Sequence, residues 1–362
     1  MDAADPRQQE ETRPAPGGAG DGPSFRVPGV ETEPAARGVL PGVLRFFVVP
    51  LLLVGASVGV FAVLGAVVGR APPAPEELVD RISGGGTNSR WQAAQELSNL
   101  VYRRDVDLSR NDGLARTLAE SFRKARAAGD DPRVVSLLAS LLGRCPAEVG
   151  RPALEQALAD GNPDVRVFVL AALGETGDPA SLDAMLPSLQ DPDASVRAMA
   201  AYAVPSVAGP AVAGAGDAPG AADGRAALVR ALEDASVDVR WNAALGLSRL
   251  GHADGADLVW SMLHRDYVRG NLRPREGGGP GILSAAGADP ETAAQAEEKV
   301  VLNALSAAWL LRDRSMIEGV RALADSDPSP SVRDWALRAR GRLEDEIRDR
   351  GPVPARAWTA KR

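Results

Sequence analysis

Arg90-Trp91-Gln92-Ala93-Ala94-Gln95-Glu96-Leu97-Ser98-Asn99-Leu100 is written a second time as Arg240-Trp241-Asn242-Ala243-Ala244-Leu245-Gly246-Leu247-Ser248-Arg249-Leu250. Arg, Trp, the paired alanines, a leucine, a serine and the closing leucine coincide. The segment has the apolar spacing of a short amphipathic helix, and self-similarity at a distance marks a chain built from repeats.

Further copies are recognised by their openings. Asn162-Pro163-Asp164-Val165-Arg166, Asp191-Pro192-Asp193-Ala194-Ser195-Val196-Arg197, Asp234-Ala235-Ser236-Val237-Asp238-Val239-Arg240 and Asp327-Pro328-Ser329-Pro330-Ser331-Val332-Arg333 each begin with turn-forming and helix-capping residues. Each then starts an apolar stripe of helical period: Val165, Val169, Ala172; Val196, Ala200, Ala203; Val332, Ala336, Ala339. The stretches Leu173 to Pro179 and Leu250 to Gly255 supply glycine turns that end such helices. Arg90, Arg133, Arg166, Arg197, Arg240 and Arg333 keep a register that reduces to a unit of about 31 residues, and Val300 to Leu310 is a degenerate copy without the arginine. The spacing predicts an all-α solenoid of about six to seven helix pairs over residues 78–350, interrupted at 205–224 and 265–297. Residues 331–350, with a charged outer face, read as the repeat that caps the array, and 351–362 as a tail.

The pattern Asp-x-x-Val-Arg-x-x-Ala-x-x-x-Leu-Gly resembles the HEAT-repeat superfamily, particularly the short bacterial HEAT-like repeats also found in phycobilin lyases. The resemblance implies a right-handed α-solenoid acting as a scaffold or adaptor. It also implies that the Asp of each turn and the Arg of each second helix bridge neighbouring units. By position those residues are Asp164, Arg166, Asp193, Arg197, Asp238, Arg240 and Arg333.

Composition narrows the function. Hydrophobic residues make up 45% and aromatics only 4%, so helix contacts must rest on Ala, Leu and Val. A net charge of −7 disfavours a broad nucleic-acid surface, which would be basic. Lysine occurs only at Lys124, Lys299 and Lys361; with heavy Ala, Gly, Pro and Arg usage this fits a GC-rich bacterial genome. Cys145 stands alone, so no internal disulfide forms, and it reads as a small apolar residue at a helix end.

Ahead of the repeats, residues 1–42 are rich in Pro, Gly and acids and read as a disordered tail. From Phe46 to Val68 no residue is charged; as a helix rising about 1.5 Å per residue this run would span roughly 35 Å, enough for a hydrocarbon core of about 30 Å. A transmembrane helix at 43–69 is predicted, bracketed by Arg45 and Arg70, hence a single-pass protein of the bacterial cell membrane. Gly55, Gly59, Ala62 and Ala66 share one stripe of it, a pattern that suits helix packing or a homodimer in a membrane. Arginines balance on the two sides, so orientation stays open. Residues 70–77 form a Pro-rich linker, and Gly84-Gly85-Gly86 lacks the context of a phosphate loop.

No catalytic signature appears. His252 and His264 have neither the spacing nor the cysteine partners of a metal site, no cofactor is implied, and Trp91, Trp241, Trp260, Trp309 and Trp335 read as packing residues. The candidate contact point is the basic cluster Arg265, Tyr267, Arg269, Arg273 and Arg275 at the start of the second insertion, suited to an acidic partner or lipid headgroups. The function expected is a membrane-tethered repeat scaffold that binds a membrane or peripheral protein. The alternative is a chromophore- or cofactor-handling protein like the lyases.

Overall fold

The turn sequences predict where helices start, and the structure places a capping side chain at most of those points. A computed structural model of the chain describes residues 51–60, 73–209, 221–272 and 290–351. Asn111, Asp131, Asn162, Asp193 and Ser329 each accept a hydrogen bond from a backbone N–H of the helix they open, and Pro132, Pro163 and Pro330 occupy first-turn positions that need no N–H.

The helices pair in chain order. α1 (Pro75–Gly84) precedes α2 (Thr87–Tyr102), α3 (Asp112–Ala127) precedes α4 (Pro132–Leu142), and α5 (Ala147–Ala157) precedes α6 (Pro163–Thr176). The short α7 (Leu182–Met185), extended by a 3-10 turn Leu186–Gln190, precedes α8 (Ala194–Ala208); α9 (Ala221–Ala231) precedes α10 (Val237–Arg249). Then α11 (Ala256–Met262) and α12 (Arg265–Asn271) precede α13 (Pro290–Leu311), and α14 (Ile317–Ser326) precedes α15 (Pro330–Arg350). No strand occurs among the described residues. The second helices stack in a row, α2 on α4, α4 on α6, α6 on α8, α8 on α10, α10 on α13 and α13 on α15, as in an α-solenoid.

The three predicted stripes are all at most 3% exposed. Second helices bury more than one stripe, however. In α6, Val167, Leu170 and Leu173 are buried along with Val165, Val169 and Ala172, because units press on it from both sides. Close approach is achieved with small residues. A Cβ added to Gly246 of α10 would lie 2.7 Å from Pro205 Cγ and 3.0 Å from the Ala201 carbonyl oxygen, both on α8. Gly177 ends α6 at φ 62°, a left-handed conformation that favours glycine.

The core falls into two apolar clusters. One runs from Leu78 to Leu250 and the other from Trp241 to Leu343. They meet on α10, where Val239, Ala243 and Leu247 join the first, and Trp241 and Ala244 the second.

Several boundaries differ from those predicted. The first helix begins at Pro75, inside the expected linker, since proline is well placed in a first turn. α8 continues through Pro205 to Ala208. A proline inside a helix costs about 3 kcal/mol, but Pro205 is buried and its ring packs where Gly246 leaves room. The 265–297 insertion is helical at both ends, as α12 and the start of α13.

The membrane localisation is corrected. Residues Met1–Ala71 form a unit separate from Pro72–Arg362, and only 51–60 are described in it, as a helical segment. Among the described residues no helix is long and apolar enough to cross a membrane. Gly55 and Gly59 lie in the 51–60 segment with open space around an added Cβ. Ala62, Ala66, Arg45 and Arg70, and the tails 1–42 and 352–362, lie outside the described residues.

Candidate binding site on the row of second helices

Two arginines of the register reach from one unit to the first residue of the next unit's turn. Arg166 donates Nε and Nη2 to the two carboxylate oxygens of Asp191 at 2.9 and 2.8 Å, and Nη1 to the Asp160 carbonyl at 2.7 Å. Arg197 repeats this one unit on, with Asp234 at 2.8 and 3.0 Å and the Asp191 carbonyl at 2.8 Å. Asp191 and Asp234, each the first residue of its turn, are therefore bridging carboxylates. Asp193 caps α8 by accepting from the Ser195 and Val196 N–H groups, Asp164 and Asp238 lie in the first turns of α6 and α10, and the preceding Asp160 is the bridging residue of its turn. The reason is geometric. A capping carboxylate must turn back onto its own helix, whereas the turn's first residue faces the preceding unit.

The partners of the other arginines vary. Arg90 donates to the Ile82 carbonyl at 2.6 Å and pairs with Asp130 at 2.6 Å. Arg133 pairs with Asp131 in its own turn and is 71% exposed, while Arg126, from the preceding helix, reaches Asp160 at 2.8 Å. Arg240 donates to the Asp234 and Ala235 carbonyls, and Arg333 to those of Asp327 and Pro328.

Of the expected basic cluster, Arg265 and Arg269 are engaged by carboxylates of the fold. Arg265 donates to both carboxylate oxygens of Asp327 at 2.6 and 2.8 Å and to Glu297 at 2.8 Å. Those two carboxylate side chains are 1% and 8% exposed, so Arg265 neutralises buried charge. Its pKa lies above the usual arginine value, raised mainly by the Asp327 bond and opposed by burial. Arg269 also binds Glu297, at 3.1 and 3.2 Å. Tyr267 is half-buried against Trp241, ring centres 6.3 Å apart. Arg273 and Arg275 lie outside the described residues.

A pocket of about 100 Å³ opens instead on the second-helix row, lined from α8, α10 and α13. Tyr202 and Leu310, 46% and 41% exposed, stand in its wall, with Leu245 and Gly246 between the polar residues Asn242, Arg249, Asn303 and Ser306. Asn242 is 1% exposed, and neither its amide nitrogen nor its carbonyl oxygen has a hydrogen-bond partner among the described residues. Arg249 donates to the Tyr202 carbonyl at 2.9 Å and to Ser206 Oγ at 2.5 Å, with its guanidinium over the Tyr202 ring at 5.5 Å. No carboxylate among the described residues pairs with it. Burial pulls its pKa below the usual arginine value.

This pocket was legible only in part. Asn242 and Asn303 occupy equivalent positions in the aligned copies starting at Val239 and Val300, where other copies carry Phe168 and Met199. An asparagine in a position that is apolar in several other copies, though Gln92 holds it in the first, is the signal. What could not be seen is that α8 and α13 would flank it.

Comparison with known proteins supports the repeat fold. Residues 119–205 match the family of HEAT repeats. Among solved structures, the complex of CpcE and CpcF of phycocyanin lyase from Nostoc is 16% identical with a TM-score of 0.45, covering 88% of this chain and 99% of that one. Human deoxyhypusine hydroxylase is 19% identical with a TM-score of 0.32, covering 75% and 96%. An engineered protein is 16% identical with a TM-score of 0.37, covering 75% and 97%. No curated protein sequence matches the chain.

Cys145 and His264 are both packed into the fold. Cys145 is buried, its thiol pushed up to about 12 by burial, and it donates to the Leu141 carbonyl at 3.4 Å. His264 lies tilted at 53° against Trp260 with ring centres 4.5 Å apart, and burial lowers its pKa.

Proposed function

We propose that the helical array is a protein-binding platform that takes its partner on the row of second helices around Tyr202 and Leu310. The observation that carries this reading is a pocket walled by three successive second helices, with two large exposed apolar side chains in it. Arg90, Arg166 and Arg197 of the repeat register, by contrast, are spent on holding units together. The binding is read as non-catalytic, because the buried thiol and the packed histidine offer no nucleophile–base pair. Handling of a chromophore or cofactor draws no support from this site.

Site-specific photo-crosslinking in the full chain tests it. A crosslinking residue at position 202 or 310 should capture one and the same protein in cells, whereas one at position 116, exposed on the first helix α3, should not. Equal capture from all three positions, or none, overturns the reading.

A further inference from the structure

Two groups in the pocket are incomplete as the chain stands. A buried carboxamide with no partner costs about 1–3 kcal/mol in general, and a half-buried cation without a counter-charge is also unfavourable. Asn242 and Arg249 are those two groups, and no carboxylate lines the pocket. They stand seven residues apart on α10, so their Cα atoms are separated by about 10 Å, two helical turns. An extended peptide advances about 3.3 Å per residue and covers that distance in about three residues. A carboxamide presents one donor group and one acceptor, the complement of a peptide group's own acceptor and donor. A guanidinium presents a fork that matches a carboxylate. Asn303, at the equivalent position on α13, adds a second carboxamide to the pocket lining. Tyr202 and Leu310 supply apolar walls for a neighbouring side chain.

We infer that this pocket binds an extended, acidic segment of the partner protein, with a backbone peptide group on Asn242 and an Asp or Glu carboxylate on Arg249. The inference rests on the proposed binding of a protein at the second-helix row and names what is recognised there. Four of the five donors of a guanidinium can be used at once with a bidentate carboxylate, and two of Arg249's bonds already hold it in place against α8. The cation is thus oriented before the ligand arrives.

The test uses the full-length chain and pools of blocked hexapeptides with one central glutamate, the other positions randomised, beside twin pools with glutamine there. Peptides enriched on the protein are then measured individually by fluorescence polarisation. The expected result is a glutamate peptide bound about tenfold more tightly than its glutamine twin. Arg249→Gln should remove that preference, and Asn242→Leu should weaken both twins by a similar factor, with circular dichroism unchanged. Leu310→Glu, an exposed substitution, should weaken the glutamate peptide even if the interior variants fail to fold. Three results would each overturn the inference: no peptide enriched, twins bound equally, or displacement of the peptide by N-acetylglutamate amide at matched concentration. Capture by crosslinking at positions 202 and 310 without a glutamate preference would leave protein binding standing and remove only the acidic segment.

Discussion

The Asp191 carboxylate accepts from Arg166 of one unit while its backbone carbonyl accepts from Arg197 of the next, and its Oδ1 also takes the Asp193 N–H at 2.8 Å. One residue therefore shapes a turn and bridges two helix pairs. Asp191→Asn should lower stability by about 1.5–3 kcal/mol, the usual range for hydrogen bonds to charged groups, read from urea unfolding. Arg133→Ala, removing an exposed within-turn pair and a contact 5.9 Å from the centre of the half-exposed Trp91 ring, should move the midpoint far less. Asp234 adds a pH dependence. Burial works to raise its pKa, but the Arg197 bond, the Ser236 N–H and nearby arginines bring it below the ordinary carboxylate value. A depressed folded pKa contributes stability above the unfolded carboxylate pKa of about 4, and that contribution is lost as pH falls through the lower folded value. Asp234→Asn should flatten the acid limb of the stability curve below pH about 4; an unchanged limb would assign the acid sensitivity elsewhere. Cys145, with its thiol at about 12, should react with a disulfide reagent at pH 8 only as fast as the chain opens.

Between elements, contact depends on side chains that are absent or buried in pairs. Gly246→Ala places a methyl 2.7 Å from Pro205 Cγ, so α8 and α10 must separate. Overpacking of this kind costs about 1–3 kcal/mol, and hydrogen exchange should quicken in α8 and α10 while α4 keeps its protection. Arg265→Ala strips the buried carboxylates of Asp327 and Glu297 of their cation. A loss of about 3–5 kcal/mol is expected, with exchange quickening in α12, α13 and α14. The caps and stripes of these elements could be read in advance, because each depends on residues within a few positions. The role of Arg265 could not. Its partners are 32 and 62 positions away, and a local count of arginines makes it look like a free basic patch.

For the whole molecule, neighbour-only contacts predict that the two apolar clusters melt with some independence. Trp241 and Trp260 belong to the second cluster and Trp309 and Trp335 pack on it, whereas Trp91, 36% exposed, lies ahead of it in α2. Urea unfolding followed by tryptophan fluorescence should therefore report mainly the second cluster, and far-ultraviolet circular dichroism both. The two midpoints should differ; coincident midpoints would make the array a single cooperative unit.

The sequence by itself determined that this chain is a row of helical hairpins, and where most of them begin. Capping residues, first-turn prolines and a 3.6-residue apolar period act over one or two turns of helix, so they are written in contiguous residues. Hydropathy also suggested a membrane span at 43–69, a reading set aside because among the described residues no helix is long and apolar enough to cross a membrane. Only the tertiary structure decided which charges are spent and which remain. It paired Arg166 with Asp191, sank Arg265 between two buried carboxylates, and left Asn242 and Arg249 incomplete in a pocket between α8, α10 and α13. That outcome depends on which helix stacks on which, and on the distances the stacking sets, and no single helix carries that information.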